Sequence, residues 1–358
     1  MQHRPLCPAG AGALFLLDHV GPLDPIFPRP GPAVNSTITA VAGLQAGHFT
    51  DAVNGTGCSV FLCREGAVGG VDVRGGSPGT RETDLLRPLH RVEKVHAITL
   101  SGGSAFGLEA ASGVMSCLAE QGIGLTVGPG TIPIVASAIL FDLGLLNPKS
   151  HPGLAEGRAA CLAADDRPMP QGSVGAGTGA TVGKALGLER AVKSGIGSAS
   201  LRLPSGATVA AAVAVNAIGG VVDFQSGEIL AGPRREGEPG FHDPFYDSVD
   251  LLLREKLTPG SPALSNTTIG VVATDAPLTK EEANFLAQVS HDGLALAIRP
   301  CHTLRDGDTM FVMATGARSG APDITVLCAA AVQVTAQSVI NAVKFATGLG
   351  GFPAISEL

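Results

Sequence analysis

Asn266-Thr-Thr-Ile-Gly-Val-Val-Ala-Thr274 reads as a buried β-strand that begins abruptly after an irregular segment. From Thr267 onward the run is β-branched, small or apolar without a break, as suits a strand covered on both faces. Residues 230–265 before it are charged and punctuated by Pro233, Pro239, Pro244, Pro259 and Pro262, with one short apolar patch at 249–253. They read as a surface connection. A threonine placed first in a core strand, behind an exposed loop, has a chemical use. Its hydroxyl is a poor nucleophile unless a base lies beside it, and an N-terminal threonine carries that base itself. The α-amino group, with a reference pKa of about 7.7–8.0, can take the hydroxyl proton. Thr267 becomes N-terminal only if the bond from Asn266 is cut. An ordinary strand that happens to start with threonine shows the same pattern, so this stretch alone does not separate the two.

Downstream, Thr279-Lys-Glu-Glu282 is a capping box that opens a helix reaching about residue 297. A further strand is expected at 309–314. A long small-residue helix is expected from 323 to about 347, opened by Pro322 and stopped by Gly348, Gly350 and Gly351. Asp306-Gly-Asp-Thr309 stands at the mouth of the 309–314 strand, so Asp306 and Asp308 come close to Thr267 if the two strands pair. On spacing alone those residues read more readily as a plain Asp-Gly turn. Upstream, apolar strands are expected at 196–201 and 208–215. Asn216, at the end of the second, either supplies an amide N–H to an oxyanion or merely ends the strand. Earlier still come Gly172-Ser-Val-Gly-Ala-Gly-Thr-Gly-Ala-Thr-Val-Gly-Lys184 and short β-like runs at 59–63 and 92–100. Ser101-Gly-Gly-Ser-Ala-Phe-Gly-Leu-Glu109 follows, a turn entering a small-residue helix through about 120, with Ser104 as its cap. Strands clustered between helices predict an α+β fold in stacked layers, sheets inside and helices outside. Residues 1–34, rich in Pro and Gly, are expected to be a flexible extension outside the core.

Composition narrows the function. Hydrophobic residues make up 45% and charged residues 15%, which requires extensive burial. A net charge of −7, no Trp and a single Tyr argue against nucleic-acid binding. The seven cysteines are scattered without a C-x-x-C pair and read as buried free thiols in a reducing cytoplasm. The apolar run 9–17 is too short to span a bilayer. No metal and no cofactor are expected: the nine His residues show no ligand spacing. Gly175-Ala-Gly-Thr-Gly-Ala180 matches a dinucleotide fingerprint only formally, because Arg167-Pro-Met-Pro-Gln171 precedes it instead of a strand. His291 and His302 are expected to be structural or surface residues.

Four segments together carry a family resemblance: Ser101-Gly-Gly-Ser-Ala-Phe-Gly-Leu-Glu109, Gly175-Ala-Gly-Thr-Gly-Ala-Thr-Val-Gly-Lys184, Asn266-Thr-Thr-Ile269 and Asp306-Gly-Asp-Thr309. In order and spacing, from about residue 35 to about 350, the chain resembles the self-processing aminopeptidases. These include the L-aminopeptidase/D-amidase, the β-peptidyl aminopeptidases and the nylon-oligomer hydrolases. The resemblance implies a four-layer αββα sandwich of N-terminal-nucleophile (Ntn) hydrolase type. It also implies one catalytic domain, 35–358, cut between Asn266 and Thr267 into 35–266 and 267–358. By the same resemblance Thr267 takes the nucleophile's place, Lys184 assists beside it, and Asn216 is the oxyanion-hole residue. Asp306 and Asp308 match the acidic pair of the nylon-hydrolase branch. Phe141, expected to touch substrate, stands where several members carry an active-site Tyr. The implied substrates are short peptides, small amides or amide oligomers, and the implied assembly is a homo-oligomer, a tetramer of cut protomers. An acyltransferase of related fold, or a non-catalytic small-molecule-binding relative, fits the same residues.

Overall fold

In the computed structural model, which describes residues 35–235, 244–256, 266–320 and 322–358, nine strands join one sheet. They are β1 (Gln45–Asp51), β2 (Thr56–Val73), β3 (Thr80–Arg81), β4 (Lys94–Ser101), β5 (Val135–Ile139), β6 (Ile196–Arg202), β7 (Thr208–Asn216), β8 (Thr267–Thr274) and β9 (Thr309–Ala314). The order is β6-β7-β8-β9-β2-β4-β5-β3, with β1 paired to β2. The helices are α1 (Ala110–Glu120), α2 (Leu154–Leu162), α3 (Ser248–Leu253), α4 (Lys280–Ala297) and α5 (Ile324–Lys344). The parallel pairs β4/β5 and β8/β9 each need a crossover, and α1 and α4 provide them. The extension expected at 1–34 lies outside the described residues.

Strand β2 organises the layers. Arg64 and Glu65 are exposed, Gly66 sits at φ +75°, and the register against β4 shifts between Leu62 and Ala67. This bulge bends the strand, so its first half pairs with β1 and its second half with β9. The sheet folds over itself at the bend. Phe61, Ile98, Leu100 and Ala138 from one wing share a core with Ala212, Ile269, Val271 and Phe311 from the other. Alternate residues Cys58, Val60, Leu62 and Val135 face outward onto α1 and α2. Helices α4 and α5 cover the opposite wing. The layering is therefore helix, sheet, sheet, helix, with the two sheets continuous through β2. The fit of α5 on β6 is close enough that a Cβ at Gly197 would stand 2.1 Å from the Ser338 carbonyl. By length and composition α5 passes for a membrane span, but 67% of its most apolar window is buried, as in a core helix.

Three local expectations need correcting. Ser104 caps nothing: it lies at φ +53° behind Gly103 at +82°, and its N–H goes to the Leu140 carbonyl at 3.0 Å. That reversal starts a 3-10 turn over Ser104–Glu109, and α1 begins only at Ala110. Helix α5 ends at Lys344 instead of near 347, because Ser173 takes both the N–H and the carbonyl of Thr347 (3.1 and 2.8 Å). The apolar patch at 249–253 is helical, capped by Asp247, whose carboxylate accepts the Val249 N–H at 2.7 Å. The capping box of α4 forms as expected, with Thr279 and Glu282 exchanging bonds.

Candidate active site

Pairing of β7, β8 and β9 brings the expected site residues together. Thr267 opens β8 and stands across the antiparallel ladder from Asn216, the last residue of β7. On the other side Asn266 bridges Asp306 in parallel, so Asp306-Gly307-Asp308 wraps the start of β8. Asn266, Thr267, Asn216, Lys184, Asp306 and Asp308 are all buried.

The Thr267 hydroxyl lies against the carbonyl oxygen of Asn266. The same carbonyl accepts the N–H of Gly307 at 3.1 Å. A hydroxyl and a fixed backbone donor thus meet at the one peptide carbonyl whose attack would release Thr267. Lys184 donates from Nζ to the Asn216 side-chain oxygen at 2.7 Å and to its backbone carbonyl at 3.1 Å. Asn216 Oδ1 also accepts the Thr181 N–H at 3.1 Å, and Nδ2 donates to the Phe141 carbonyl at 2.8 Å. Burial pushes the Lys184 ammonium down to about 7, against the opposing pull of Asp306 and Asp142. At that value it exchanges protons near neutrality.

The two carboxylates are held differently. Asp306 accepts the N–H groups of Ile218 (3.4 Å) and Thr303 (3.2 Å) and the Thr303 hydroxyl. Burial, then the neighbouring Asp308, lifts it to about 6. Asp308 accepts the Thr268 N–H at 2.7 Å on one oxygen. Its other oxygen takes both the backbone N–H and Nδ1 of His302, each at 2.8 Å. His302 is the residue that sequence reasoning set aside. Its position in a loop near Asp306 was visible, but the contact depends on a left-handed backbone at φ +56°. The Gly307 N–H was likewise unforeseen, since backbone donors leave no mark in sequence.

On the Asn266 side of the bond lies a small opening lined by Phe141, Leu145, Leu188 and Ile218 with Asp142, Lys184 and Arg305. Phe141 is half-buried and is among the residues that line this opening. Asp142 accepts Gly103 N–H and the Thr56 hydroxyl, both at 2.7 Å, and burial lifts it to about 6.

A family model described as Peptidase family S58 matches residues 36–355. An uncharacterized aminopeptidase of Mycobacterium leprae is 40% identical, covering 89% of this chain and 92% of its own. A 6-aminohexanoate-oligomer endohydrolase of Paenarthrobacter ureafaciens is 32% identical over 76% of this chain and 72% of its own. Among solved structures, a β-aminopeptidase of Burkholderia sp. superposes with TM-score 0.61 at 24% identity, covering 90% of both chains. The L-aminopeptidase D-Ala-esterase/amidase of Ochrobactrum anthropi, described as a variant of the Ntn-hydrolase fold, gives TM-score 0.60 at 19% identity over 90% of this chain and 91% of that one.

Proposed function

The chain belongs to peptidase family S58 and is an amide-bond hydrolase of Ntn fold, and from that premise we propose that it processes itself at Asn266–Thr267 and works through the freed Thr267. The observation that carries the reading is the Thr267 hydroxyl against the Asn266 carbonyl, with the Gly307 N–H on the same oxygen. Attack by Oγ forms a C–O bond to Asn266 and breaks the C–N bond, the nitrogen leaving as the Thr267 amine. Water then cleaves the ester, restoring the hydroxyl and leaving a carboxylate on Asn266. In the mature enzyme the Thr267 amine serves as base for the next attack, on a substrate amide.

The remaining roles follow from position. Gly307 N–H holds the developing oxyanion. By the family resemblance we assign the Asn216 side-chain amide, which also donates to the Phe141 carbonyl, to the same oxyanion. Lys184, bonded to Asn216, tunes the proton inventory of the nucleophile, and Asp308 anchors the backbone one residue beyond it. Asp306 holds the loop after β7 through Ile218. The substrate acyl group takes the place of Asn266, in the pocket walled by Phe141. An apolar pocket of that kind suits short peptides, small amides or amide oligomers, and the similarity to an oligomer endohydrolase supports the last. We further assign the mature protein to the cytoplasm, as a homo-oligomer of cut protomers whose single catalytic domain comprises 35–266 and 267–358. The six described cysteines are all free, in keeping with that compartment.

Intact mass of freshly purified protein beside Thr267→Ala tests the reading. Wild type should give a C-terminal fragment spanning 267–358 and the variant one uncut, inactive chain. A wild-type chain that hydrolyses amides without being cut at this bond refutes it.

A further inference from the structure

We propose that His302 is a positioning residue of this site, holding Asp308 in place with two hydrogen bonds from its backbone and its ring. The inference rests on Thr267 being the nucleophile. Asp308 is 1% exposed and stands at the head of β9. One of its oxygens grips the backbone N–H of Thr268, the residue after the nucleophile. The other receives two N–H groups from His302 alone. Three donors on one buried carboxylate fix its orientation, and with it the start of β8.

The backbone of His302 is shaped for this contact. At φ +56° it occupies a region that residues with a Cβ seldom adopt. There its own N–H and its ring meet the same carboxylate oxygen. The imidazole cannot itself take the Thr267 proton, because Nδ1 is committed to Asp308. Nε2 is buried and has no partner among the described residues.

The charge around His302 comes from few groups. Cys301 adjoins it in sequence, and Asp308 faces it from the head of β9. From α4 the His291 ring packs edge-to-face at 4.7 Å and 70°. His291 in turn places Nε2 on the Asp72 carbonyl at 3.1 Å, with the Asp72 carboxylate at 3.6 Å and Arg74 paired to that carboxylate at 2.7 Å. Burial pushes His291 down to about 4, so it is neutral. Burial also works against a charge on His302, but the bonds to Asp308 and Cys301 prevail and lift it to about 10. The one positive ring of the pair is thus the one touching Asp308. Its charge offsets part of the repulsion between Asp308 and Asp306.

The test is self-cleavage of full-length chain made by cell-free translation, chased from pH 5 to 8.5, for wild type, His302→Asn, His302→Leu and Thr267→Ala. Asparagine tolerates the left-handed backbone and offers an N–H to Asp308 without the charge. His302→Asn should still cleave, with the acid limb that Asp306 sets in its rate profile moved up by about one pH unit, as expected when a cation near that carboxylate is lost. His302→Leu, with neither bond nor charge, should cleave about tenfold more slowly or worse at every pH. A His302→Asn profile identical to wild type overturns the charge, and a His302→Leu chain cleaving at the wild-type rate overturns the positioning. Misfolding of the leucine variant leaves the asparagine profile to decide. Cleavage of Thr267→Ala would instead sink the nucleophile assignment, whatever the His302 variants do.

Discussion

Replacing Gly307 by alanine crowds the Thr267 hydroxyl without removing any hydrogen-bonding group from the site. Gly307 is not at positive φ, so an alanine there adds a methyl group without backbone strain. That methyl would stand 2.6 Å from the Ser77 carbonyl oxygen, 2.7 Å from Thr267 Oγ1 and 3.2 Å from Pro78 Cα. Two of these are closer than real Cβ contacts come, so something must shift by several tenths of an ångström. Ser77 is the stiffer neighbour: its N–H bonds the Asp306 carbonyl and its hydroxyl the Leu304 carbonyl, both at 2.9 Å. The softest response is rotation of the threonine side chain away from the Asn266 carbonyl. A displacement approaching 1 Å at the attacking atom costs about 100-fold in rate, near 2.7 kcal/mol of barrier. Overpacking adds about 1–3 kcal/mol of instability. The Gly307 N–H survives, so loss of the oxyanion donor is not the cause. We expect a folded Gly307→Ala chain, slightly less heat-stable, whose self-cleavage followed by intact mass is about two orders of magnitude slower. Cleavage within about threefold of wild type, in a chain shown folded by its melt, would mean that the hydroxyl's resting place does not govern attack.

Two further outcomes follow from buried groups and caps. Between pH 3.8 and about 6 the folded chain keeps protons on Asp142 and Asp306 that the unfolded chain has released. More protons bound in the native state means stability falls as pH rises through that window, by at most about 1.4 kcal/mol per pH unit for each group. Urea midpoints at pH 4 and 6.5 should therefore differ less in Asp142→Asn than in wild type, and an unchanged difference would exonerate Asp142. Thr279→Ala removes the cap that accepts the Glu282 N–H at 3.2 Å, beyond the opposite end of β8 from Thr267. It should cost about 1 kcal/mol in denaturant melts while leaving self-cleavage unchanged.

Features set by neighbouring residues were legible in the sequence. The Thr279–Glu282 box starts α4 where expected, and Thr309–Ala314 is a strand to the residue, because cap chemistry and a short apolar run act locally. Strand β2 shows the opposite. Only 59–63 of Thr56–Val73 stood out, since exposed Arg64 and Glu65 and the left-handed Gly66 interrupt the apolar pattern where the strand bends. Proximity of the DGD segment to Thr267 depended on β8 pairing with β9, a long-range fact that either strand alone leaves open. The roles of Lys184, Asn216 and the carboxylates came from resemblance. Their bonds came from the folded geometry, as the grip of Asn216 on the Phe141 carbonyl shows. His302 escaped because its contact needs a backbone conformation that histidine rarely takes.

The ladders around Asn266–Thr267 also bear on what cleavage would leave behind. Thr267 is held on both sides of the bond's C-terminal half, by pairing with Asn216 in β7 and by the grip of Asp308 on the next N–H. Those contacts belong to 267–358 and its neighbours and do not depend on the bond to 266. Asn266 has less to keep it: an isolated bridge to Asp306, the Gly307 N–H on its carbonyl, and a 3.5 Å contact from its amide to the Arg305 carbonyl. Its own Oδ1 is buried without a partner among the described residues. Cutting the bond adds a carboxylate to this residue, beside Asp306 and Asp308. Like charges repel, so the expected outcome is a new terminus that leaves its place while Thr267 stays anchored, opening toward Thr267 the pocket that Asn266 helps to line. The asymmetry of the two halves thus couples one act of self-cleavage to the vacancy that a substrate acyl group requires.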